Sequence, residues 1–89
     1  MQRRPEVGLW GAGMVAGVHA AACQALDWRV SAVASRTAAR AADLAASVHA
    51  RATSFDVLLT ERSGDIAIVA TPPAAHVDAA VALLDAGYH

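Results

Sequence analysis

Short apolar runs alternate along the chain with longer segments in which apolar residues recur every three or four positions. The runs have the length and composition of buried strands, and the longer segments have the period of amphipathic helices. The fourth run is continuously apolar, as a strand covered on both faces should be. The pattern predicts four strands, at Glu6 to Trp10, Arg29 to Ala34, Ala50 to Thr53 and Ile66 to Ala70.

A helical segment follows each predicted strand. The first begins at Met14 and is ended by Asp27. Thr37 is placed to cap the second, and Gly87 stops the fourth. The second and fourth helices are expected to bury their apolar faces. The apolar positions that define the four helices are Met14, Val18, Ala21, Ala22 and Ala25; Ala41, Leu44, Ala45 and Val48; Phe55, Leu58 and Leu59; and Val77, Ala80, Val81 and Leu84.

This alternation of strands and helices indicates βαβ units around a parallel sheet. Right-handed crossovers between successive strands give the spatial order 3-2-1-4, which is one half of a doubly wound sheet. We therefore predict an α/β protein of the Rossmann type, with a three-layer α/β/α arrangement. Residues 1–89 would form a single, incomplete domain, because the strands that normally lie beyond the fourth are missing.

The composition narrows the possible functions. The 89 residues are 56% hydrophobic and 17% charged, so the chain is too apolar to be disordered. Seven basic residues, all arginine, are balanced by eight acidic residues, which gives a net charge of −1. The chain therefore has no basic surface of the kind that nucleic acid or an anionic membrane needs. The lone Cys23 cannot form an internal disulfide, which favours a reducing cytoplasm.

The N-terminal region has some features of an export signal. Arg3 and Arg4 precede an almost uncharged run from Val7 to Leu26, and three alanines stand just before Cys23. Four glycines interrupt that run, however, and His19 lies where an export signal should be most apolar. Because the same segment also supplies the first strand and helix of the fold, we expect a cytoplasmic protein.

A glycine-rich turn joins the first strand to the first helix. Its sequence, Gly11-Ala12-Gly13-Met14-Val15-Ala16, matches the pattern G-x-G-x-x-G/A in the strand–turn–helix context that gives the pattern meaning. Gly11 would permit the tight turn, Gly13 would leave room for a pyrophosphate, and Ala16 would let the helix pack close to the strand. The free N–H groups at the helix start would then hold the diphosphate of a dinucleotide. The alternative is that these small residues only allow tight helix packing.

The end of the second strand carries the candidate determinants of cofactor choice. Rossmann sites for NAD usually have Asp or Glu there to bind the ribose hydroxyls. This chain has Ser35, Arg36 and Thr37 instead, with Arg40 one turn further on. Guanidinium and hydroxyl groups suit a 2′-phosphate, so the sequence favours NADP over NAD. The alternative is that both arginines are ordinary solvated residues at an exposed helix start.

A proline-rich turn follows the fourth strand, at the same edge of the predicted sheet. Thr71, Pro72 and Pro73 would form a rigid shelf beside the cofactor, because proline restricts both itself and the residue before it. His76 lies in the first turn above them, where it could contact the cofactor or serve in capping or packing. The sequence shows no spacing typical of metal ligands and no Ser/His/Asp arrangement.

Three segments together resemble the N-terminal domain of the Gfo/Idh/MocA oxidoreductases. They are V-G-L-W-G-A-G-M-V-A-G-V-H at 7–19, S-A-V-A-S-R-T at 31–37 and D-I-A-I-V-A-T-P-P-A-A-H at 65–76. The resemblance covers nearly the whole chain and implies NAD(P)-dependent oxidation or reduction of sugars, polyols and related small carbonyl compounds. It assigns cofactor contacts to Gly11, Gly13, Ser35, Arg36, Thr71, Pro72 and His76.

The same resemblance implies that the catalytic residues lie outside this chain. In such enzymes a Glu-Lys-Pro motif follows a fifth strand, and a C-terminal α/β domain helps bind substrate. Neither is present up to His89, so no catalytic residue can be assigned and the isolated chain is expected to be inactive. Two functions stay open: the cofactor domain of an oxidoreductase, or a non-catalytic module that senses NAD(P) or docks to a partner. The exposed edge of the fourth strand could also lead to self-association.

Overall fold

The computed structural model describes residues 5–61, 65–71 and 76–89 of the chain. Strands and helices alternate in the predicted order, and the bounds of the strands differ from the predicted bounds by at most one residue. The elements are β1 (Glu6–Trp10), α1 (Met14–Ala25), β2 (Arg29–Ala34), α2 (Ala38–Ser47), β3 (Arg51–Thr53), α3 (Phe55–Glu61), β4 (Ile66–Val69) and α4 (His76–Asp85).

The strands form one parallel sheet in the order β3-β2-β1-β4, which confirms the predicted order 3-2-1-4. β1 is central because it pairs with β2 on one side and with β4 on the other. The pairing of β1 with β2 contains a bulge: Val7 pairs with Val30, and Gly8 pairs with Ala32. The extra residue, Ser31, donates a hydrogen bond from its hydroxyl to the carbonyl oxygen of Val7 at 3.4 Å.

Helices cover both faces of the sheet, and each face has its own core. On one face α1 and α2 pack against aliphatic side chains. On the other, α3 and α4 surround Trp10, whose ring stacks on Phe55 with centroids 4.2 Å apart. This arrangement confirms the three-layer α/β/α prediction. The first core contains Val7, Leu9, Ala20, Cys23, Val30, Val33, Ala41 and Ala45, and the second contains Trp10, Ala32, Ala34, Leu58, Ala79, Leu83 and Tyr88.

The larger apolar residues of α1 do not lie on the face of the helix that packs against the sheet. Its buried residues are Ala16, Ala20 and Cys23. Met14 is 89% exposed and Val18 is 65% exposed. Small side chains let the helix axis approach the sheet closely, and α1 has too few polar residues for periodicity to choose between its faces. The sequence-marked positions Met14, Val18, Ala21, Ala22 and Ala25 are all exposed.

The predicted buried face of α4 is also wrong. Ala79 and Leu83 are the buried residues of this helix. Val77, Val81 and Leu84, which were expected in the core, are exposed. The helix carries apolar residues on two sides, and the packing against β4 buries the side that carries Ala79 and Leu83.

The remaining helices agree with the sequence. α2 buries Ala41 and Ala45, and Leu44 and Val48 pack half-buried against the same core, as predicted. α3 is the expected short helix and buries Leu58. Among the described helices, the longest has 12 residues, and none is long and apolar enough to cross a membrane.

Beyond α4 the chain turns back along β4. Gly87 has a φ of +98° and ends the helix, as predicted. Tyr88 is buried and donates its hydroxyl proton to the carbonyl oxygen of Leu58 at 2.6 Å. His89 then accepts a hydrogen bond from the N–H of Ala67 at 2.9 Å and donates to the carbonyl oxygen of Asp65 at 3.1 Å. The outer edge of β4, which was expected to be unpaired, is therefore paired at its beginning by His89.

Candidate functional site

The turn after β1 brings three strand ends together. Gly11 has a φ of +116°, a conformation that side-chain-bearing residues rarely adopt. Its N–H donates to the carbonyl oxygen of Ala34, the last residue of β2, at 2.7 Å. A Cβ at Gly11 would lie 2.7 Å from the carbonyl oxygen of Ala70, just after β4. The backbone geometry and the close approach both require glycine here, as the motif predicts.

Gly13 differs from Gly11, because the protein itself does not require a glycine at this position. Its φ of −82° suits any residue, and a Cβ would meet no atom of the described residues within 4 Å. Gly13 is also the N-cap of α1 and has no side chain to bond the first N–H groups of the helix. The first turn contains no acidic residue. The open approach above Gly13 thus leads to N–H groups that carry partial positive charge and can bind an anion.

The first turn of α1 is oriented by the burial of one side of the helix. Ala16 is completely buried against the sheet, so the helix lies close to β1, as predicted. Met14 and Val15 are exposed on the first turn. Ala12 is half-buried and packs on the first core. The start of α1 is therefore held by Ala12 and Ala16, while the backbone between them faces the surface.

The loop after β2 lies next to this turn, because Gly11 is hydrogen-bonded to Ala34. Ser35 is half-buried, and its hydroxyl oxygen accepts the N–H of Thr37 at 3.2 Å. The Ser35 hydroxyl can still donate its own proton to a ligand. Thr37 occupies the predicted N-cap position of α2, but its side chain makes no capping hydrogen bond.

Arg36 and Arg40 are both exposed at the start of α2. Neither forms an ion pair within the described ranges, whereas Arg29 and Arg51 pair with Glu6 and Glu61 at 3.4 and 3.0 Å. Those two pairs lie near the amino ends of the strands. The two unpaired arginines lie at the carboxyl ends, where they can interact with an anionic ligand.

A groove of about 510 Å³ runs between the first turn of α1 and the side of α2. Gly13 and Met14 form one wall, and Arg40 stands on the other. Arg36 is not among the residues that line it. Three further residues line the groove that the sequence did not suggest for the site: Asp43, Leu44 and Ser47. They follow Arg40 by three, four and seven positions, a spacing that puts residues on the same side of a helix and could have revealed them.

The end of β4 forms the other side of the candidate site. Thr71 lies beside the Gly11 turn: its methyl group would be 3.3 Å from a Cβ at Gly11. Its hydroxyl oxygen is buried and has no hydrogen-bond partner among the described residues. His76 is exposed at the first position of α4. The predicted contacts of Pro72 and Pro73 lie outside the described residues.

Together, these features place the candidate residues at the carboxyl ends of β1, β2 and β4. The strand order reverses between β1 and β4, and the crevice at such a point is where open α/β sheets bind ligands. The open turn, the helix start and the adjacent groove fit an extended ligand that carries phosphate groups. Within the described part of the chain, no cluster of His, Cys, Asp and Glu could hold a metal ion.

Cys23 lies outside this site. It is buried in the first core, as the sequence suggests, and burial raises the pKa of its thiol. A protonated, enclosed thiol is a poor nucleophile. Its environment is that of a packing residue.

Comparison with known proteins agrees with the geometry. Residues 6–89 match the Gfo/Idh/MocA family, described as an oxidoreductase family with an NAD-binding Rossmann fold. No curated protein sequence matches the chain significantly.

Solved structures give the same result. GenD2 from gentamicin A biosynthesis, in complex with NAD, is 32% identical with a TM-score of 0.91, over 100% of this chain and 26% of that one. UDP-N-acetylglucosamine 3-dehydrogenase GnnA from Acidithiobacillus ferrooxidans is 30% identical with a TM-score of 0.87, and the match covers 99% of this chain and 29% of that one. The WlbA dehydrogenase from Bordetella pertussis, in complex with NADH and UDP-GlcNAcA, is 26% identical with a TM-score of 0.88, and the match covers 98% of this chain and 28% of that one. The chain therefore spans less than a third of the length of these structures.

Proposed function

We propose that this chain, which belongs to the Gfo/Idh/MocA oxidoreductase family, binds NADP in its crevice, with NAD as the weaker ligand. The bound cofactor would serve the oxidation or reduction of a sugar, polyol or related small carbonyl compound. The observation that carries the proposal is the open approach above Gly13, where a Cβ would meet nothing within 4 Å. GnnA and WlbA, which act on or bind nucleotide sugars, support the substrate class.

The residues of the turn would hold the diphosphate. Gly11 keeps the strand end close to Ala70 and directs the chain into α1. Gly13 lets phosphate oxygens approach the N–H groups of the first helical turn, whose dipole favours negative charge. Met14 and Val15 contribute those N–H groups. When the cofactor is bound, its nicotinamide ring supplies or accepts the hydride.

The loop after β2 would select the 2′-phosphorylated cofactor. No carboxylate stands at the end of β2 to accept hydrogen bonds from the ribose or to repel a phosphate. Arg36 and Arg40 can make charge-assisted hydrogen bonds to a 2′-phosphate, and neither is engaged by a carboxylate among the described residues. The hydroxyls of Ser35 and Thr37 can add neutral hydrogen bonds.

Residues after β4 would complete the site. The unpartnered hydroxyl of Thr71 can hydrogen-bond a cofactor group if its side chain rotates toward the crevice. Pro72 and Pro73 would form the shelf that the sequence predicts, and His76 would contact the cofactor from the exposed start of α4. These assignments follow the resemblance to the family and the position of Thr71.

Substrate binding and proton transfer would come from polypeptide outside residues 1–89. The chain would supply the cofactor-binding domain, and it corresponds to less than a third of each structure described above. We place the protein in the cytoplasm, because Cys23 is a free, buried thiol and the charge balance suits neither nucleic acid nor a membrane surface.

Calorimetric titration of the chain with NADP and NAD tests the proposal through Gly13→Ala. The added methyl group projects into the approach to the helix start, so affinity for both cofactors should fall at least tenfold. The matched control is Gly17→Ala, where a Cβ also meets no atom within 4 Å but lies in the middle of α1. Equal affinities in the two variants, in chains that remain folded, would refute the proposed site.

A further inference from the structure

We propose that Asp43 is a specificity-determining residue, which weakens binding of the 2′-phosphorylated cofactor and so brings the affinities for NADP and NAD closer together. The inference rests on the proposed function and extends it to a residue that neither the motifs nor the comparisons assign.

The groove brings Asp43 to the candidate phosphate site. Arg40 and Asp43 line the same groove and face Gly13 and Met14 across it. The two residues are three positions apart on α2, so their Cβ atoms lie roughly 5–6 Å apart on one side of the helix. A phosphate held by Arg40 would therefore be within reach of the electric field of Asp43.

Charge in this groove is of both signs. Of the groove-lining residues, Arg40 is the cation and Asp43 is the anion, while Leu44 and Ser47 are neutral. Asp43 is exposed and has no ion-pair partner in the described part of the chain. Its negative charge is therefore not cancelled by a contact, and it opposes the attraction that Arg40 exerts on a phosphate.

The repulsion of a 2′-phosphate acts on NADP only. A 2′-phosphate carries close to two negative charges at neutral pH, whereas the 2′-hydroxyl of NAD carries none. The diphosphate is common to both cofactors, so any effect of Asp43 on it cancels in the ratio of affinities. Through solvent and over roughly 7–10 Å, the repulsion corresponds to a change of about two- to fivefold in binding.

The test compares Asp43→Asn with Asp85→Asn in titrations with NADP, NAD and adenosine 2′,5′-bisphosphate. Asp85 is an exposed carboxylate at the far end of α4, near the amino ends of the strands, so it gives the same charge change at a distant position. Asp43→Asn should bind NADP and the bisphosphate more tightly, and the ratio of its NADP affinity to its NAD affinity should rise about two- to fivefold. The gain should shrink at high salt, because screening shortens the range of the repulsion. It should also shrink in an Arg40→Ala background, where the phosphate is held less closely.

Failure of this inference and failure of the proposed function give different results. If Arg40→Ala weakens NADP but Asp43→Asn matches Asp85→Asn, the inference is refuted and the proposed function stands. If the unmodified chain binds NAD as tightly as NADP, the proposed preference fails, and a selective gain in Asp43→Asn still supports the inference. A gain that is equal for NAD and NADP, or insensitive to salt, would show that the charge of Asp43 does not discriminate against the 2′-phosphate and would refute the inference. If no nucleotide binds any variant, both are refuted.

Discussion

The Cβ position of Gly11 lies 2.7 Å from the carbonyl oxygen of Ala70, so the turn after β1 and the end of β4 are packed without room for a side chain. The obstacle is backbone, which cannot rotate away as a flexible side chain could. This contact sets the width of the crevice between β1 and β4 and links the stability of the fold to the shape of the site.

We expect Gly11→Ala to destabilise the chain by at least about 2 kcal/mol, because a φ of +116° is strained for alanine and the methyl group would collide with Ala70. Urea unfolding followed by circular dichroism measures the change. Gly17→Ala, in the open interior of α1, should instead stabilise by about 0.5–1 kcal/mol. Equal stability of the Gly11→Ala and unmodified chains would show that the turn can relax.

The buried hydroxyl of Tyr88 gives a second stability prediction. Tyr88→Phe removes the 2.6 Å hydrogen bond to the carbonyl oxygen of Leu58 while keeping the ring in the second core. We expect a loss of about 1–2 kcal/mol in the free energy of unfolding. The backbone pairing of His89 with β4 should loosen as well, and amide hydrogen exchange at Ala67 would report it. An unchanged urea midpoint would contradict the assigned role of the hydroxyl.

Cys23 provides a prediction that depends on pH. Burial raises the pKa of its thiol, so the native chain keeps the thiol protonated at a pH where the unfolded chain has begun to ionise. Alkylation by iodoacetamide, followed by mass spectrometry, should be much slower in the native chain than in concentrated urea. The same shift makes this residue's contribution to stability depend on pH. The contribution is fully present below the pKa of the unfolded thiol and is lost as the pH rises through the raised pKa of the native thiol. Equal labelling rates in the native and unfolded chains would show that Cys23 is accessible.

Cofactor preference can be tested at Arg36. A charge-assisted hydrogen bond to the 2′-phosphate contributes about 1.5–3 kcal/mol, and solvent exposure should reduce the effect to about tenfold in affinity. Arg36→Ala should therefore weaken NADP about tenfold and leave NAD nearly unchanged in calorimetric titrations. If both affinities fall equally, or if NAD binds more tightly to the unmodified chain, Arg36 is a surface residue without a role in selection.

Self-association should arise at the outer edge of β4. The N–H of Ala67 is hydrogen-bonded to His89 at this edge. Further along the strand, the backbone groups of Val69 point to the same edge. Val77, Val81 and Leu84 leave apolar surface exposed on α4, which packs against this strand. Light scattering should show a mass that increases with concentration, and Val81→Lys should reduce the increase. A monodisperse monomer at high concentration would contradict this prediction.

The order of elements and the sheet topology could be predicted from the sequence, and so could the crevice in which the candidate site lies. Strand and helix periods differ, so local pattern alone separates Glu6–Trp10 from the helix that follows it. Right-handed crossovers in a sheet of the Rossmann type then give the order 3-2-1-4. The glycine motif marks the crevice because Gly11 and Gly13 stand between a strand and a helix, where their lack of a side chain has a physical consequence.

In α1 and α4, only the tertiary structure decided which apolar residues are buried. α1 and α4 are apolar on two sides, so periodicity could not distinguish Ala16 and Ala20 from Met14 and Val18; close approach to the sheet selects the smaller residues. The bulge at Ser31 likewise depends on how β2 pairs with β1. Asp43 enters the groove only because α1 and α2 lie side by side. In each case the deciding contact joins residues that are distant in sequence, and local pattern carries no information about such contacts.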